Sequence, residues 1–387
     1  MVMVGDLPEP AGGVGEHCFA VCEVLSDRGM QVHFLDTEPS SNKRLPRLAS
    51  YEIATEHRAR SLLALVRSPR LLWEFARITP RVVPALGVRG TVGCLLLAAR
   101  IARGVRANEA PTLAAHHAGT RGLSALLVAR ATGARLTVFI HGAEWGHDAW
   151  RRLEPVSTLV VREAHTVIAN SQYTAGLCRS ATGRESIVVI HPGVDHERFC
   201  PNEARPRTSD DFTVLFAGQL HARKGPVVLA RAIPLVCADR PVHYVFAGPD
   251  RGEADAVRRA AAEAGVEALV RICGPVAAED LPGLYRDADI LVFPTVWRTE
   301  GFGMVAAEAM ACAVPVVASR IGAIPEVVDD GVTGLLFEPG DAGDLAAKLT
   351  VLLQDGSLRE RLGHAGADRA RSFRWEAFAD AFVTVPS

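Results

Sequence analysis

Residues 213–319 alternate short β-branched and aromatic runs with helix-forming stretches, and this rhythm constrains the fold more than any other feature of the sequence. Thr213 to Gly218 (TVLFAG), His243 to Gly248 (HYVFAG), Val270 to Gly274 (VRICG), Ile290 to Thr295 (ILVFPT) and Pro315 to Ser319 (PVVAS) read as buried parallel strands. Helical stretches near 226–238, 253–264, 278–288 and 303–312 lie between them. Strands joined by helices pair in parallel, because each helix returns the chain across a face of the sheet. The second half is therefore expected to be a doubly wound, Rossmann-like domain.

The first half repeats the theme, with strands expected at 31–35, 112–115, 136–140, 166–169 and 187–190 and a helix from about 16 to 28, after the glycines at 12, 13 and 15. The opening MVMV leaves room for only a short first strand before Asp6; either that strand is stunted or the start lies upstream. Between the halves, Cys200 to Asp211 (CPNEARPRTSDD) has two prolines and no apolar periodicity, the signature of a linker. These features divide the chain into an N-terminal domain, 1–200, and a C-terminal domain, 201–374. Residues 375–387 form a C-terminal helix able to pack back on the first domain.

The bulk properties exclude several classes. At 387 residues the chain has room for two or three domains, and a 49% hydrophobic, 22% charged composition is that of a globular protein. A formal charge of −2 gives no electrostatic reason to expect nucleic-acid binding. Eight cysteines without CxxC pairs suit reduced thiols in a cytoplasmic enzyme and indicate no metal site. The longest uncharged apolar runs, such as Gly90 to Ala99, fall short of the roughly 20 residues of a spanning helix, and Asp6 and Glu9 stand where a secretory leader would be basic. Residues 56–110, by contrast, hold ten arginines against three glutamates, interleaved with Leu71, Leu72, Trp73, Phe75 and Ile78. That stretch reads either as cleft-edge amphipathic helices with solvated arginines or as a peripheral contact with an anionic membrane.

The chemistry concentrates in Thr299 to Ser319 (TEGFGMVAAEAMACAVPVVAS). Glu300 falls in a loop after a strand, Gly301 and Gly303 free the backbone, and Met304 opens a helix. The amides of 302–305 then form a helix N-terminus, where unpaired N–H groups and the helix dipole attract phosphate oxygens. Glu308, about one turn further, presents a carboxylate to sugar hydroxyls. A second glycine cluster, Gly13-x-Gly15-x-x-Cys18, lacks the third glycine of a dinucleotide fingerprint, although Asp36 stands about where such a site carries its acid.

Glu300 to Glu308 (EGFGMVAAE) resembles the paired-glutamate motif of the retaining GT-B glycosyltransferases of family 4. The likeness continues in order along the chain: Pro10 to Gly15 (PAGGVG), Phe139 to Glu144 (FIHGAE), Asn170–Ser171, His191 to Asp195 (HPGVD), Gly218 to Gly225 (GQLHARKG) and Gly322 to Val327 (GAIPEV). Gln219 departs from it, standing where the family usually has an arginine. The resemblance implies an α/β, GT-B architecture of two Rossmann-like domains facing a cleft. It implies a hexosyltransferase that moves sugar with retention from a nucleotide diphosphate donor, UDP favoured, to a hydroxyl of a small-molecule, natural-product or lipid-linked saccharide acceptor. Arg223 and Lys224 would neutralise the leaving diphosphate, where a cation gains most as charge develops. Glu300 would hold the donor sugar and His141 would approach its hydroxyls; these four make the catalytic set. Gly13, Val14, Gly15, Gly218, Val276, Phe302, Gly303, Met304, Val305 and Glu308 would bind the donor, with His116, His117 and Asn170 on the acceptor side. Cations and helix amides leave no role for a metal, and no cofactor is implied beyond the co-substrate. A GT-B nucleotide-sugar epimerase and an inactive nucleotide-sugar-binding subunit are the alternatives.

Overall fold

The computed structural model describes residues 1–5, 13–36, 50–53, 68–107, 112–145, 151–201 and 211–385, and of 13–16, 50–53 and 106–107 the backbone only. Contacts divide the chain into two compact units, Met1–His191 with Phe378–Ser387, and Pro192–Ala377.

The first unit is built on a seven-stranded sheet, every pairing parallel: β1 (Val2–Gly5), β2 (His33–Asp36), β3 (Ser50–Ile53), β4 (Thr112–His116), β5 (Arg135–Ile140), β6 (Thr166–Ala169) and β7 (Val188–Val189), in the order β3-β2-β1-β4-β5-β6-β7. The short opening strand is central, buried along its whole length and paired with both β2 and β4. The second unit holds β8 (Phe212–Ala217), β9 (Val242–Ala247), β10 (Val270–Gly274), β11 (Ile290–Phe293), β12 (Val316–Ser319) and β13 (Leu335–Phe337), in the order β10-β9-β8-β11-β12-β13. Counted within its own unit, each sheet runs 3-2-1-4-5-6, the Rossmann order, and the first adds a seventh strand.

Three expectations about strands are corrected: the first unit gains β3, which the sequence pattern had not shown, and two changes fall in the second. Val270–Gly274 is not buried: it is the sheet's edge, where Arg271 and Cys273 are exposed. The second unit also gains β13, whose three residues are too few to show a period. The chain passes to the second unit before residue 200. Val194 N–H donates to Phe373 O at 2.9 Å, His196 Nε2 lies 3.0 Å from the same oxygen, and Phe199 packs edge-on to Tyr285. Residues 202–210 of the expected linker lie outside the described residues. At the other end, Phe378 and Phe382 of helix Trp375–Thr384 stack on Phe139 of the first unit, with centroids 6.2 and 5.9 Å away.

The arginine-rich stretch is described from residue 68. Pro69–Ala107 is one long helix broken at Gly87, whose φ of 67° and ψ of 171° are not helical. Its segment Pro69–Val105 is, by length and composition, long and apolar enough to cross a membrane, which counting uncharged runs had not shown. One face carries Leu71, Ile78, Val82, Cys94, Ala98 and Ile101 into the core of the first unit. The other exposes Trp73, Val88 and Val92 together with Arg70, Arg77, Arg81 and Arg89. Glu74, nearly buried on this helix, meets Arg130 of helix Thr120–Thr132 at 3.3 Å, tying the two together.

Helix Ala342–Gln354 tests the core assignment of the second unit, because Leu349 is fully buried and Val351, two residues on, is exposed. Leu349→Ala is expected to cost the second unit about 2–5 kcal/mol in urea unfolding. Val351→Ala should stay within about 0.5 kcal/mol of wild type.

Candidate active site

In the second unit the strand order reverses between β8 and β11, so the loops leaving their carboxyl ends diverge and open a crevice, the usual ligand position in such sheets. The loop after β8 ends in a tight turn, Ala222–Lys224, in which His221 Nδ1 accepts the Arg223 N–H at 3.1 Å. Gly225 closes it at φ 69°, where a Cβ would sit 2.0 Å from Pro294 O. Only glycine lets the turn lie this close to the end of β11. Arg223 O accepts from Val296 N–H at 2.9 Å and from the Thr295 hydroxyl at 3.0 Å, locking the two loops together.

The functional side chains follow from this backbone contact. Lys224 Nζ donates to Glu300 Oε2 at 2.7 Å, and Thr295 Oγ1 lies 3.3 Å from the same oxygen. The Lys224 side chain keeps 27% exposure and that of Glu300 11%, so the carboxylate is the more deeply buried partner. The Arg223 guanidinium stands 4.4 Å from the Trp297 ring centroid, within cation–π range. Beyond Glu300, Gly303 (φ 95°) starts helix Met304–Ala311; a Cβ there would lie 2.6 Å from Ile324 Cδ1. Phe302 is buried, Met304 and Val305 half-buried, and Glu308 lies one turn in, its Oε2 accepting from the Tyr285 hydroxyl at 2.8 Å. Burial, then the Glu308 charge, pushes the Tyr285 pKa well above its usual value, so the phenol remains a donor. Gly218 ends β8 at φ 139°, and Val276 is half-buried against the core that holds Phe302. A cavity of about 880 Å³ at the opposite, amino ends of these strands is lined by Asp211, His243, Asp289 and Arg359 and contains none of the predicted site residues.

The first unit gathers a different set at the same kind of switch point, between β1 and β4. His116 ends β4 and His141 follows β5, with His116 Nδ1 and His141 Nε2 3.3 Å apart. His17, on helix Gly13–Asp27, sets its ring edge-on to both, with centroids 5.3 and 5.0 Å away. His117, at φ 68°, turns its Nδ1 to Glu144 Oε1 at 2.9 Å, and the His141 N–H reaches the same carboxylate at 3.2 Å. Burial, then the neighbouring imidazoles, lowers the His17 pKa to about 3; burial likewise sends His116 and His141 well below the usual range. Asn170 follows β6, and its buried Oδ1 has no hydrogen-bond partner among the described residues. Gly13, Val14 and Gly15 are the first turn of a helix rather than a loop preceding one at 16; Pro10 to Gly12 lie outside the described residues.

The structure thus joins Arg223, Lys224 and Glu300 directly, sets Glu308 on the next helix, and joins His116, His117 and His141 in the first unit. Sequence reasoning assigned no role to His17, Glu144, Tyr285, Thr295 or Trp297. Glu144 ends the FIHGAE segment and His17 lies two residues beyond PAGGVG, so their signal was present; Tyr285 and Trp297 carry none that spacing exposes.

Residues 11–198 match the model of Glycosyltransferase Family 4, and residues 202–369 match that of Glycosyl transferases group 1. The chain belongs to the family 4 glycosyltransferases. Among curated relatives of this family 4 member, the D-inositol 3-phosphate glycosyltransferase of Streptomyces scabiei is 35% identical over 246 residues, 59% of this chain and 55% of that protein. Its counterpart in Geodermatophilus obscurus is 37% identical over 244 residues, 58% and 53%. The matched part spans about half the length of these relatives. Among solved structures, sucrose-phosphate synthase from Thermosynechococcus elongatus superposes at a TM-score of 0.77 with 21% identity, covering 99% of this chain and 96% of that one. Anabaena HepE in complex with UDP reaches 0.78 with 20% identity, covering 99% and 98%. These likenesses show the GT-B fold.

The imidazole cluster gives the first unit a pH dependence whose sign is fixed. A histidine whose folded pKa lies below its unfolded value near 6.5 binds more protons when unfolded, so its stabilisation is complete above pH 6.5 and is lost as pH falls toward 3. Each neutral imidazole should contribute a slope of up to about 1.4 kcal/mol per pH unit below pH 6. Unfolding in EDTA from pH 7 to 4 should show this loss, with His116→Gln lowering the slope; a flat profile would refute it. Arg121, His117 and Glu144 are the charged and titratable groups that face the cluster.

Proposed function

We propose that this protein is a retaining hexosyltransferase that uses a nucleotide diphosphate sugar, UDP-linked, and transfers the sugar to a hydroxyl of a small polar acceptor. The observation that carries the reading is the Lys224–Glu300 ion pair, held beside Arg223 and at the head of the glycine-started helix that bears Glu308. Two cations and a helix N-terminus concentrate positive potential where a diphosphate can sit, without calling on a divalent ion. The HepE complex with UDP supports the choice of base, and the relatives' name, with its inositol phosphate, supports a small hydroxylated acceptor.

In the resting site Lys224 neutralises Glu300. When a diphosphate enters, its charge competes for the ammonium, and the freed Glu300 carboxylate accepts from sugar hydroxyls. As the bond from the anomeric carbon to the phosphate oxygen breaks, negative charge grows on that oxygen beside Arg223 and Lys224, so these cations bind the transition state more strongly than the ground state. The acceptor oxygen bonds the anomeric carbon on the departing face, and its proton passes to the leaving phosphate oxygen, which preserves configuration. Glu308 accepts from nucleotide or sugar hydroxyls, with the Tyr285 hydroxyl holding its second position. His141, kept neutral by burial, offers a hydrogen bond to the donor sugar rather than a charge.

With EDTA present, UDP at 100 times its Kd should raise stability by about 2.7 kcal/mol, GDP and ADP by much less. Lys224→Ala should lower kcat about 10²–10³-fold. Glu308→Ala should raise the donor KM about tenfold or more, the worth of a hydrogen bond to a charged group. Wild-type kinetics in both variants would overturn the assignment. Sugar NMR showing an altered nucleotide sugar without acceptor would replace it with the epimerase.

A further inference from the structure

We propose that His17, His116 and His141 form a binding site for a borderline transition-metal ion, Zn²⁺ foremost, and that its occupancy withdraws His141 from the donor sugar. The withdrawal rests on the function proposed above; the binding does not.

Among the described residues this is the cluster whose ligand atoms converge: one ring nitrogen from each histidine lies within 4.8 Å of the other two. The three come from separate, backbone-fixed elements, a helix and the ends of two adjacent strands, so their approach is set by the fold rather than by a flexible loop. Imidazole nitrogens bind zinc at about 2.0–2.1 Å, which puts two tetrahedral ligands roughly 3.4 Å apart. His116 and His141 already present nitrogens at 3.3 Å. For the widest pair, each ring needs to move by roughly 0.7 Å, less than the swing of one χ angle within its well.

The surroundings point the same way. His116 is fully buried, so its Nδ1, 3.3 Å from His141 Nε2, faces another imidazole nitrogen and not water. The buried Glu144 carboxylate sits behind the group, accepting from the His141 N–H and facing His117. It supplies the negative charge that a buried dication needs and fixes the loop that carries one ligand. His141 is the least buried of the three, so an ion would enter on its side. An all-nitrogen set selects Zn²⁺, Cu²⁺, Ni²⁺ or Co²⁺ over Mg²⁺ and Ca²⁺, which take oxygen. Three protein ligands leave a fourth position for water. A nitrogen of His141 engaged by the ion is no longer available to a sugar hydroxyl, so the metal acts as an antagonist of transfer rather than as its cofactor.

The test begins with protein dialysed against EDTA and titrated with Co²⁺. Visible d–d absorption of a four-coordinate ion should saturate at one equivalent and disappear when Zn²⁺ is added. His17→Gln and His116→Gln should each weaken binding about 100-fold, whereas His364→Gln, exposed on the second unit, should not change it. Because both buried variants can unfold the first unit, a second measurement uses the wild type alone. With ¹⁵N-labelled histidine, one equivalent of Zn²⁺ should shift the ring nitrogens of three residues and leave the others in place. Binding that survives in folded His17→Gln and His116→Gln, or Zn²⁺ that moves other histidines instead, would overturn the site. Should Zn²⁺ bind there while transfer from a UDP-sugar proceeds unchanged, the antagonism fails and the site stands. Unshifted histidines in a protein that still transfers sugar would remove the metal site and leave the proposed function intact.

Discussion

Everything in this molecule that bears on chemistry depends on one topological constraint, the reversal of strand order beside the first strand of each sheet. Crossovers wind one way from β1 and β8 and the other way from β4 and β11, so the loops leaving the reversal point part company. A gap opens there with main-chain N–H groups and helix starts around its rim. Polar side chains at those strand ends meet one another there, joined in the first unit by His17 from the following helix. The Lys224–Glu300 pair and the histidine group are two outcomes of that geometry, written in different residues.

The second unit uses its gap for charge. The loops that carry Lys224 and Glu300 are held together at the backbone, because Gly225 lets them approach and Thr295 and Val296 both donate to Arg223 O. A buried carboxylate beside an ammonium is costly to break and cheap to exchange for another anion of equal charge. The pair is therefore less a stabilising bridge than a reserved cation, with its carboxylate the more buried of the two partners. Trp297, stacked on Arg223, restricts the second cation in the same way and spares the site the entropy of ordering a long side chain on each turnover.

Much of this was legible because it repeats. The five strands read in the second unit fall within two residues of their sequence positions, since apolar runs bounded by glycine admit few alternatives there, whereas the helix read at 226–238 stops at Ala232 and that read at 278–288 starts at Leu281. Helix Met304–Ala311 and the Glu300–Glu308 spacing were legible for the same reason. What escaped reading was set by partners remote in sequence. β10 looks like β9 in composition, yet it lies at the edge because nothing follows it outward, a property of sheet order and not of the run itself. The first unit's end at His191 is decided by Val194 and His196 binding Phe373, almost two hundred residues away. Tyr285 finds Glu308, and His17 finds His116 and His141, only once the sheet has formed.

The histidine group shows why such features are worth more attention than their spacing suggests. A core built for stability alone would not place His17, His116, His117 and Glu144 in the interior, because each polar atom there must find a partner or cost free energy. Glu144 finds two, the His117 ring and the His141 N–H, and so it is structurally accounted for. His117 is held at a positive φ that a non-glycine residue adopts at a cost, which places its ring on Glu144 instead of in a neighbouring strand. His116 Nε2, which has no hydrogen-bond partner among the described residues, is the part that packing does not explain. Strain at His117 and the desolvation of three further polar side chains thus fall together at one strand end, where local rules of core building are set aside as they are at ligand sites.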